Sequence, residues 1–230
     1  MERPVALITG GTRGLGLAIA QALVPEFELL IGGRDPARTA QAAARFPAAR
    51  PFACDLGDPE AVAEAVAGVD RVNVVVHSAG VAPRKNIEEV SAAEWVQVLN
   101  LNLVSVAELT RLLLPKLRES HGHVVMINAG LGLHAAAGWA PYSASKFGLR
   151  SFADTLRAEE RGRIKVTSIH PGRIDTDMQR AAYAAMGLPY DPAEHLAPAT
   201  VARAVKYVLE AGDGAVVEML QIRPEAVGHQ

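Results

Sequence analysis

Val5-Ala6-Leu7-Ile8-Thr9-Gly10-Gly11-Thr12-Arg13-Gly14-Leu15-Gly16 is the stretch that decides the fold. A four-residue apolar run ends in a glycine-rich turn, and the helical pattern of residues 17–24 follows at once. Glycines at 10, 14 and 16 allow a tight turn, let main chain approach a pyrophosphate, and let the next helix pack closely on the strand it left. The N-terminus of that helix then points free N–H groups at phosphates. The strand before and the helix after distinguish such a loop from an ordinary tight turn.

Outward from this unit the same rhythm repeats. Short apolar runs at residues 5–8, 29–31, 52–54, 72–76, 124–127, 166–169 and 216–220 alternate with longer Ala-rich amphipathic segments. The runs are mostly continuous rather than alternating, which suits strands covered on both faces and joined by crossover helices. The expectation is an α/β fold: a single-domain Rossmann-type doubly wound parallel sheet of about seven strands with helices on both faces. No linker or repeat divides the chain, so residues 1–230 are expected to form one dinucleotide-binding and catalytic domain. Residues 173–198, with Gly187, Pro189, Pro192 and Pro198, read as a loop with a short helix and as a substrate lid.

Composition narrows the function. Half of the 230 residues are hydrophobic, 21% are charged, and the formal net charge is −2. With acids and bases interspersed, no footprint for nucleic acid or anionic membrane stands out, and a small weakly charged ligand fits better. Cys54 is the single cysteine, so neither a disulfide framework nor a thiolate metal cage forms within the chain, and a reducing cytoplasm is expected. The first apolar run is too short for a signal-peptide core, and no apolar run approaches the ~20 residues that a bilayer requires. The histidines show no ligand spacing with carboxylates, so no metal is expected.

Two further stretches carry chemistry. At the end of the second strand, where an acid binds a ribose 2′-hydroxyl and a base meets a 2′-phosphate, the chain reads Gly32-Gly33-Arg34-Asp35. Arg34, with Arg13 in the glycine loop, can clamp a phosphate. Alternatively Arg34 is a solvated charge and Asp35 caps a helix beginning at Pro36. Downstream, Tyr142-Ser143-Ala144-Ser145-Lys146 opens a helix, and a spacing of four puts phenol and ammonium on one face, about 5–6 Å apart at their β-carbons. A phenol with pKa near ~10 is a poor base at neutrality, but a neighbouring cation stabilises phenolate and lowers that value.

The loop pattern Thr-Gly-x-x-x-Gly-x-Gly, followed in order by Tyr142-x-x-x-Lys146, resembles the short-chain dehydrogenase/reductase family, and the resemblance covers essentially the whole chain in five motifs. It implies reversible carbonyl/alcohol redox chemistry. NADPH gives hydride to a carbonyl carbon, Tyr142 protonates the oxygen, and Lys146 tunes Tyr142 and grips the nicotinamide ribose. NAD-preferring members usually carry an acid where Gly33 stands, so the resemblance favours NADP here and makes NAD the lesser choice. Asp55-Leu56 matches positions lining the adenine, and Ser78-Ala79-Gly80 stands where the family commonly has Asn-Ala-Gly. Pro171-Gly172-Arg173-Ile174-Asp175-Thr176 matches the segment closing over the nicotinamide carboxamide, with an Ile174 amide and the Thr176 hydroxyl towards the cofactor. Asn102, seven residues after Trp95, matches an asparagine that supports a water chain from the lysine; the alternative is a satisfied buried amide.

One departure stands out. The family places a serine thirteen residues before the tyrosine, at the end of the fifth strand, and this chain has Ala129 there. That hydroxyl helps to hold the substrate oxygen, and losing such a donor costs on the order of 10²–10³ in rate. Either Asn128, His134 or a backbone N–H takes its place, or a serine has been exchanged for alanine. Three readings remain open: the carbonyl reductase, a non-catalytic or weakly active NADPH-binding sensor or scaffold, and a reductase of imines or enones. Met178, Tyr183, Met186, Leu188, Tyr190, Trp139 and Leu131 are expected to form a mainly apolar pocket, or to be core or interface. Family members usually associate through the helices containing Asn102 and Tyr142, which implies a homodimer or homotetramer.

Overall fold

Continuous burial along Val5–Ile8 makes β1 an interior strand, and the computed structural model places it between the strands Glu28–Gly33 and Val74–His77 in one all-parallel sheet. The structure describes residues 2–212 and 214–225; of the segment expected to fold as one domain, residues 1, 213 and 226–230 lie outside that description. The strands are β1 (Val5–Ile8), β2 (Glu28–Gly33), β3 (Ala49–Ala53), β4 (Val74–His77), β5 (His123–Ile127), β6 (Lys165–Pro171) and β7 (Met219–Ile222). Their order across the sheet is β3-β2-β1-β4-β5-β6-β7, a doubly wound arrangement that reverses between β1 and β4. Ligands of such sheets bind beyond the strand carboxyl ends at that reversal.

Helices cover both faces. On one side α1 (Gly14–Leu23), α2 (Pro36–Ala43) and α8 (Pro198–Leu209) pack over Ile8, Ile31, Val76 and Ile169. On the other, α3 (Pro59–Ala67), α5 (Ser105–Glu119) and α6 (Ala140–Glu159) bury Leu109, Leu113, Leu117, Leu149 and Leu156 against Leu7, Val75 and Val124. Local sequence sets the helix starts. Asp35 and Asp58 accept hydrogen bonds from first-turn N–H groups, each with proline at the next position. Ser91 and Glu94 form a reciprocal capping box at the head of α4 (Ala92–Leu99).

Several elements differ from expectation. The last strand is Met219–Ile222 rather than 216–220, because its register is set by pairing Ser168 with Met219 and Pro171 with Ile222 at the sheet edge, where alternate residues stay exposed. The helical run Ala92–Glu119 is, by length and composition alone, apolar enough to cross a membrane, although charged residues interrupt it in sequence. Leu109, Leu113 and Leu117 of that run are buried against the sheet. Within it, Asn100–Val104 adopts π geometry, in which Ser105 N–H bonds to the Asn100 carbonyl.

Residues 173–198 hold a nine-residue helix, α7 (Asp177–Ala185), longer than the short helix expected. A parallel bridge between Ile174 and Leu196 closes the base of the segment. Above it Tyr190 stacks on His195 with ring centroids 4.4 Å apart, and Tyr183 meets both rings edge-on.

Candidate active site

A cleft of about 1060 Å³ opens where the sheet order reverses, and its walls come from nearly every loop at the strand carboxyl ends. The glycine loop forms its floor. Gly10 has φ +65°, and a Cβ there would stand 3.0 Å from the Ala79 Cα; a Cβ on Gly16 would stand 2.2 Å from the Gly10 carbonyl oxygen. Only glycine permits both the loop's backbone and the approach of α1 to it. Helix α1 begins at Gly14 with no side-chain cap, so its first N–H groups remain available at the cleft. Thr9, which the sequence reading did not single out, accepts from the Ser78 and Ala79 amides at 3.0 and 3.1 Å and pins the next loop beside the glycines. A buried hydroxyl at the end of an apolar strand is the signal that marked it.

Arg34 lines the cleft and has no ion-pair partner within 4.0 Å among the described residues, whereas Asp35 caps α2 through the Arg38 amide. Gly33 could not gain a side chain without displacement, since a Cβ would stand 2.3 Å from the Thr39 hydroxyl and 2.7 Å from a Thr12 methyl. Arg13 reaches instead towards Asp177 of α7 at 3.8 Å, both side chains being more than three-quarters exposed. Asp55 accepts from the Gly57 amide at 2.9 Å and borders the cleft with Leu56.

At the opposite end α6 brings Tyr142 and Lys146 to the wall, with the ammonium 5.7 Å from the phenol ring centre. Lys146 donates to the Ile127 carbonyl at 2.9 Å. The expected lowering of the phenol pKa by this cation is not found: burial pushes Tyr142 up to about 12 and Lys146 down to about 8. Desolvation outweighs attraction because the ammonium turns to a carbonyl rather than to the phenol oxygen.

Asn102 is 1% exposed, and its side chain is a satisfied buried amide. Its Oδ1 accepts from Val81 N–H at 2.9 Å, while its Nδ2 donates to Val81 O at 2.8 Å and to Ser145 Oγ at 3.0 Å. The amide thus clamps the β4 loop to the helix bearing Tyr142 and Lys146. The π turn widens the backbone where that clamp sits.

Ala129 lines the cleft, and its neighbour does not offer a replacement donor. Asn128 Nδ2 donates to the Lys146 carbonyl at 3.1 Å, and its Oδ1 accepts from the Ala129 amide at 2.9 Å, so that backbone N–H is occupied too. His170, fully buried, ties the same turn down: its ring bonds to the Ala129 carbonyl at 3.0 Å and to Ser168 Oγ at 2.9 Å. Because a carbonyl only accepts, Nδ1 carries the proton and Nε2 accepts from Ser168; burial holds this imidazole below its usual pKa. His134 is exposed at the cleft rim.

The β6 end completes the enclosure. Leu196 N–H donates to Arg173 O at 2.8 Å and Asp175 N–H to Leu196 O at 2.9 Å, which leaves the Ile174 amide pointing the other way. Thr176 accepts weakly from Gln179 N–H at 3.4 Å, capping α7. Pro171 and Gly172 also line the cleft, as do Leu131, Trp139, Met178, Tyr183, Met186 and Leu188. Tyr190 does not, because its hydroxyl donates to Asp175 at 2.7 Å and its ring stacks on His195.

Residues 4–187 match the profile of the short chain dehydrogenase family. The chain belongs to that family. It is accordingly an oxidoreductase. Among its short chain dehydrogenase relatives, the 3-oxoacyl-[acyl-carrier-protein] reductase FabG of Escherichia coli (strain K12) is 32% identical over 188 residues, covering 78% of this chain and 77% of that protein. An alcohol dehydrogenase from the archaeon Thermococcus sibiricus, complexed with 5-hydroxy-NADP, superposes with a TM-score of 0.89 at 26% identity over all of both chains. An actinorhodin polyketide ketoreductase with NADPH gives 0.88 at 25% identity, over 96% of each. Among the described residues no group of three metal-ligating side chains occurs.

Proposed function

We propose that this protein is an NADP(H)-dependent carbonyl reductase that interconverts a small-molecule carbonyl compound and its secondary alcohol. The observation that carries this reading is a single cleft with Tyr142 and Lys146 at one end and the glycine loop with the unpaired Arg34 at the other. The residues fit a dinucleotide: α1 starts uncapped at the floor, and Gly10 and Gly16 keep main chain where any Cβ would intrude. NADP complexes among the superposed relatives support the same cofactor.

In this reading Gly10, Thr12, Arg13, Gly14, Leu15 and Gly16 hold the pyrophosphate, and Arg34 takes the 2′-phosphate where Gly33 leaves no acid. Asp55, Leu56, Ser78, Ala79 and Gly80 flank the adenosine and its neighbour. Pro171, Gly172, Ile174 and Thr176 border the nicotinamide, with the outward Ile174 amide suited to a carboxamide oxygen. When bound, NADPH supplies the hydride and is oxidised as the carbonyl carbon is reduced. Tyr142, its proton firmly held by burial, gives that proton to the oxygen as negative charge develops there. Lys146 grips the ribose, and Asn102 enters as the clamp that holds the proton-transfer wall rather than through a free amide. Residues 173–198 form the substrate lid.

Loss of NADPH absorbance against ketones, aldehydes, quinones, imines and enones tests the reading. Turnover of carbonyls that falls by ~10³ or more in Tyr142→Phe supports it. Preference for NADPH over NADH should shrink in Arg34→Ala. The missing hydroxyl at Ala129 favours a second reading, a non-catalytic NADPH-binding protein; tight NADPH binding with no turnover, even in Ala129→Ser, would establish that instead. We further assign a cytoplasmic setting and a homodimer or homotetramer, the latter because Val96, Val104 and Phe147 expose 66%, 51% and 41% of their surface along the Asn102 and Tyr142 helices.

A further inference from the structure

The loop after β4 carries a cation that the proposed chemistry leaves unused. Arg84 holds its guanidinium carbon 5.7 Å from the centre of the Trp139 ring, and that ring lies 5.7 Å from the ring of Tyr142. All three side chains line the cleft. The contact is built into the backbone. Lys85 N–H donates to the Gly138 carbonyl at 3.0 Å, joining this loop to the turn before α6. Gly138 has φ +79°, and a Cβ there would meet Arg84 Nε at 3.1 Å and Cγ at 3.3 Å, so the arginine stem lies along the glycine.

Neighbouring cations are engaged and Arg84 is not. Lys85 pairs with Glu94, Arg173 donates to the Tyr183 hydroxyl at 2.9 Å with Glu194 at 3.9 Å, Arg13 approaches Asp177, and Lys146 bonds to Ile127 O. No carboxylate stands within 4.0 Å of Arg84 among the described residues, and Arg34 belongs to the far end of the cleft. A guanidinium held over an aromatic ring by cation–π attraction spends none of its N–H donors on that contact, and its fork of donors matches the two oxygens of a carboxylate. Trp139 stands between this cation and Tyr142, and the same cleft carries the apolar side chains Leu131, Met186 and Leu188.

We propose that Arg84, fixed on Trp139, anchors a carboxylate of the substrate, so that the protein selects oxo acids whose carbonyl and carboxylate are separated by a short hydrocarbon chain. This rests on the reductase reading, and it adds the substrate's charge.

The test uses the full-length chain with 4-oxopentanoate, 5-oxohexanoate, 6-oxoheptanoate and 7-oxooctanoate beside their methyl esters, in NADPH-coupled turnover. At one chain length KM for the acid should lie about tenfold or more below that for its ester. Arg84→Met should raise the acid's KM by about that factor and leave the ester's within about twofold, while Arg84→Lys recovers part of the difference. Equal KM for acid and ester in the parent chain, or an equal rise for both in Arg84→Met, overturns the inference. A binding arm reads the same contrast without turnover: in a Trp95→Phe background, quenching of Trp139 by acid but not ester supports the anchor, and equal or absent quenching rejects it. Absent turnover with selective quenching would therefore sink the reductase reading and leave the anion site standing.

Discussion

Ala129 sets the most direct expectation at the scale of single residues. Asn128 and the Ala129 amide hydrogen-bond to each other, so the alanine leaves a substrate oxygen without a side-chain donor at this point of the wall. Ala129→Ser restores one, and kcat should rise by about 10²-fold at unchanged NADPH affinity. A fall, or no change, would mean that another group already fills the role. Lys146 makes a second prediction through its charge. Burial lowers its pKa from 10.5 to about 8, so the cation is lost as pH rises through about 8. The value of kcat/KM for NADPH, which reports the free protein, should fall above that pH. Stability moves the other way. Between about 8 and 10.5 the unfolded chain binds more protons at this lysine than the folded chain, so unfolding free energy contributed by this group rises with pH. Activity lost in that window is therefore not unfolding, and parallel urea titrations at pH 7 and 9 distinguish the two.

The π turn and its clamp govern the scale of elements. Replacing Asn102 with alanine strips Val81 of both backbone partners and Ser145 of one, at a cost of about 3 kcal/mol to unfolding stability. Because the clamp joins the β4 loop to α6, kcat should drop further than KM rises; a variant with full kcat would show that the two walls hold their places without it. At the strand ends the sequence was informative where periodicity is local and silent where partners decide. The buried strands were readable from continuous apolar runs, as were the Asp35 and Asp58 caps. Apolar pattern alone starts the edge strand β7 three residues early, because Val216 and Val217 are apolar but the pairing with β6 sets the register. The π geometry at Asn100–Val104 was not readable, since a change in hydrogen-bond register leaves no trace in composition. Nor was the phenol's raised pKa, since spacing placed the cation but not its hydrogen bond to Ile127 O. Tyr190 was expected in the pocket for its aromatic ring; its bond to Asp175 turned it aside.

For the whole molecule, the exposed apolar side chains on α4, the π turn and α6 bear on assembly. Val104→Glu should shift the protein towards monomer in sedimentation, and an unchanged sedimentation coefficient would place any interface elsewhere. The division of labour across the sheet has its own result: the loops after β1 to β3 furnish the glycine-loop and Arg34 end of the cleft, and the segments after β5 and β6 furnish the Tyr142 end, with the β4 loop between them. The interior position of β1 has a consequence for synthesis. This strand is made before both of its neighbours, and β2 can cover one of its edges early, but the other edge pairs with Val74, Val75 and Val76 of the later β4. At ribosomal speeds the nascent chain carries an open apolar strand edge for on the order of seconds, the interval in which a chaperone or a second nascent chain can compete for it.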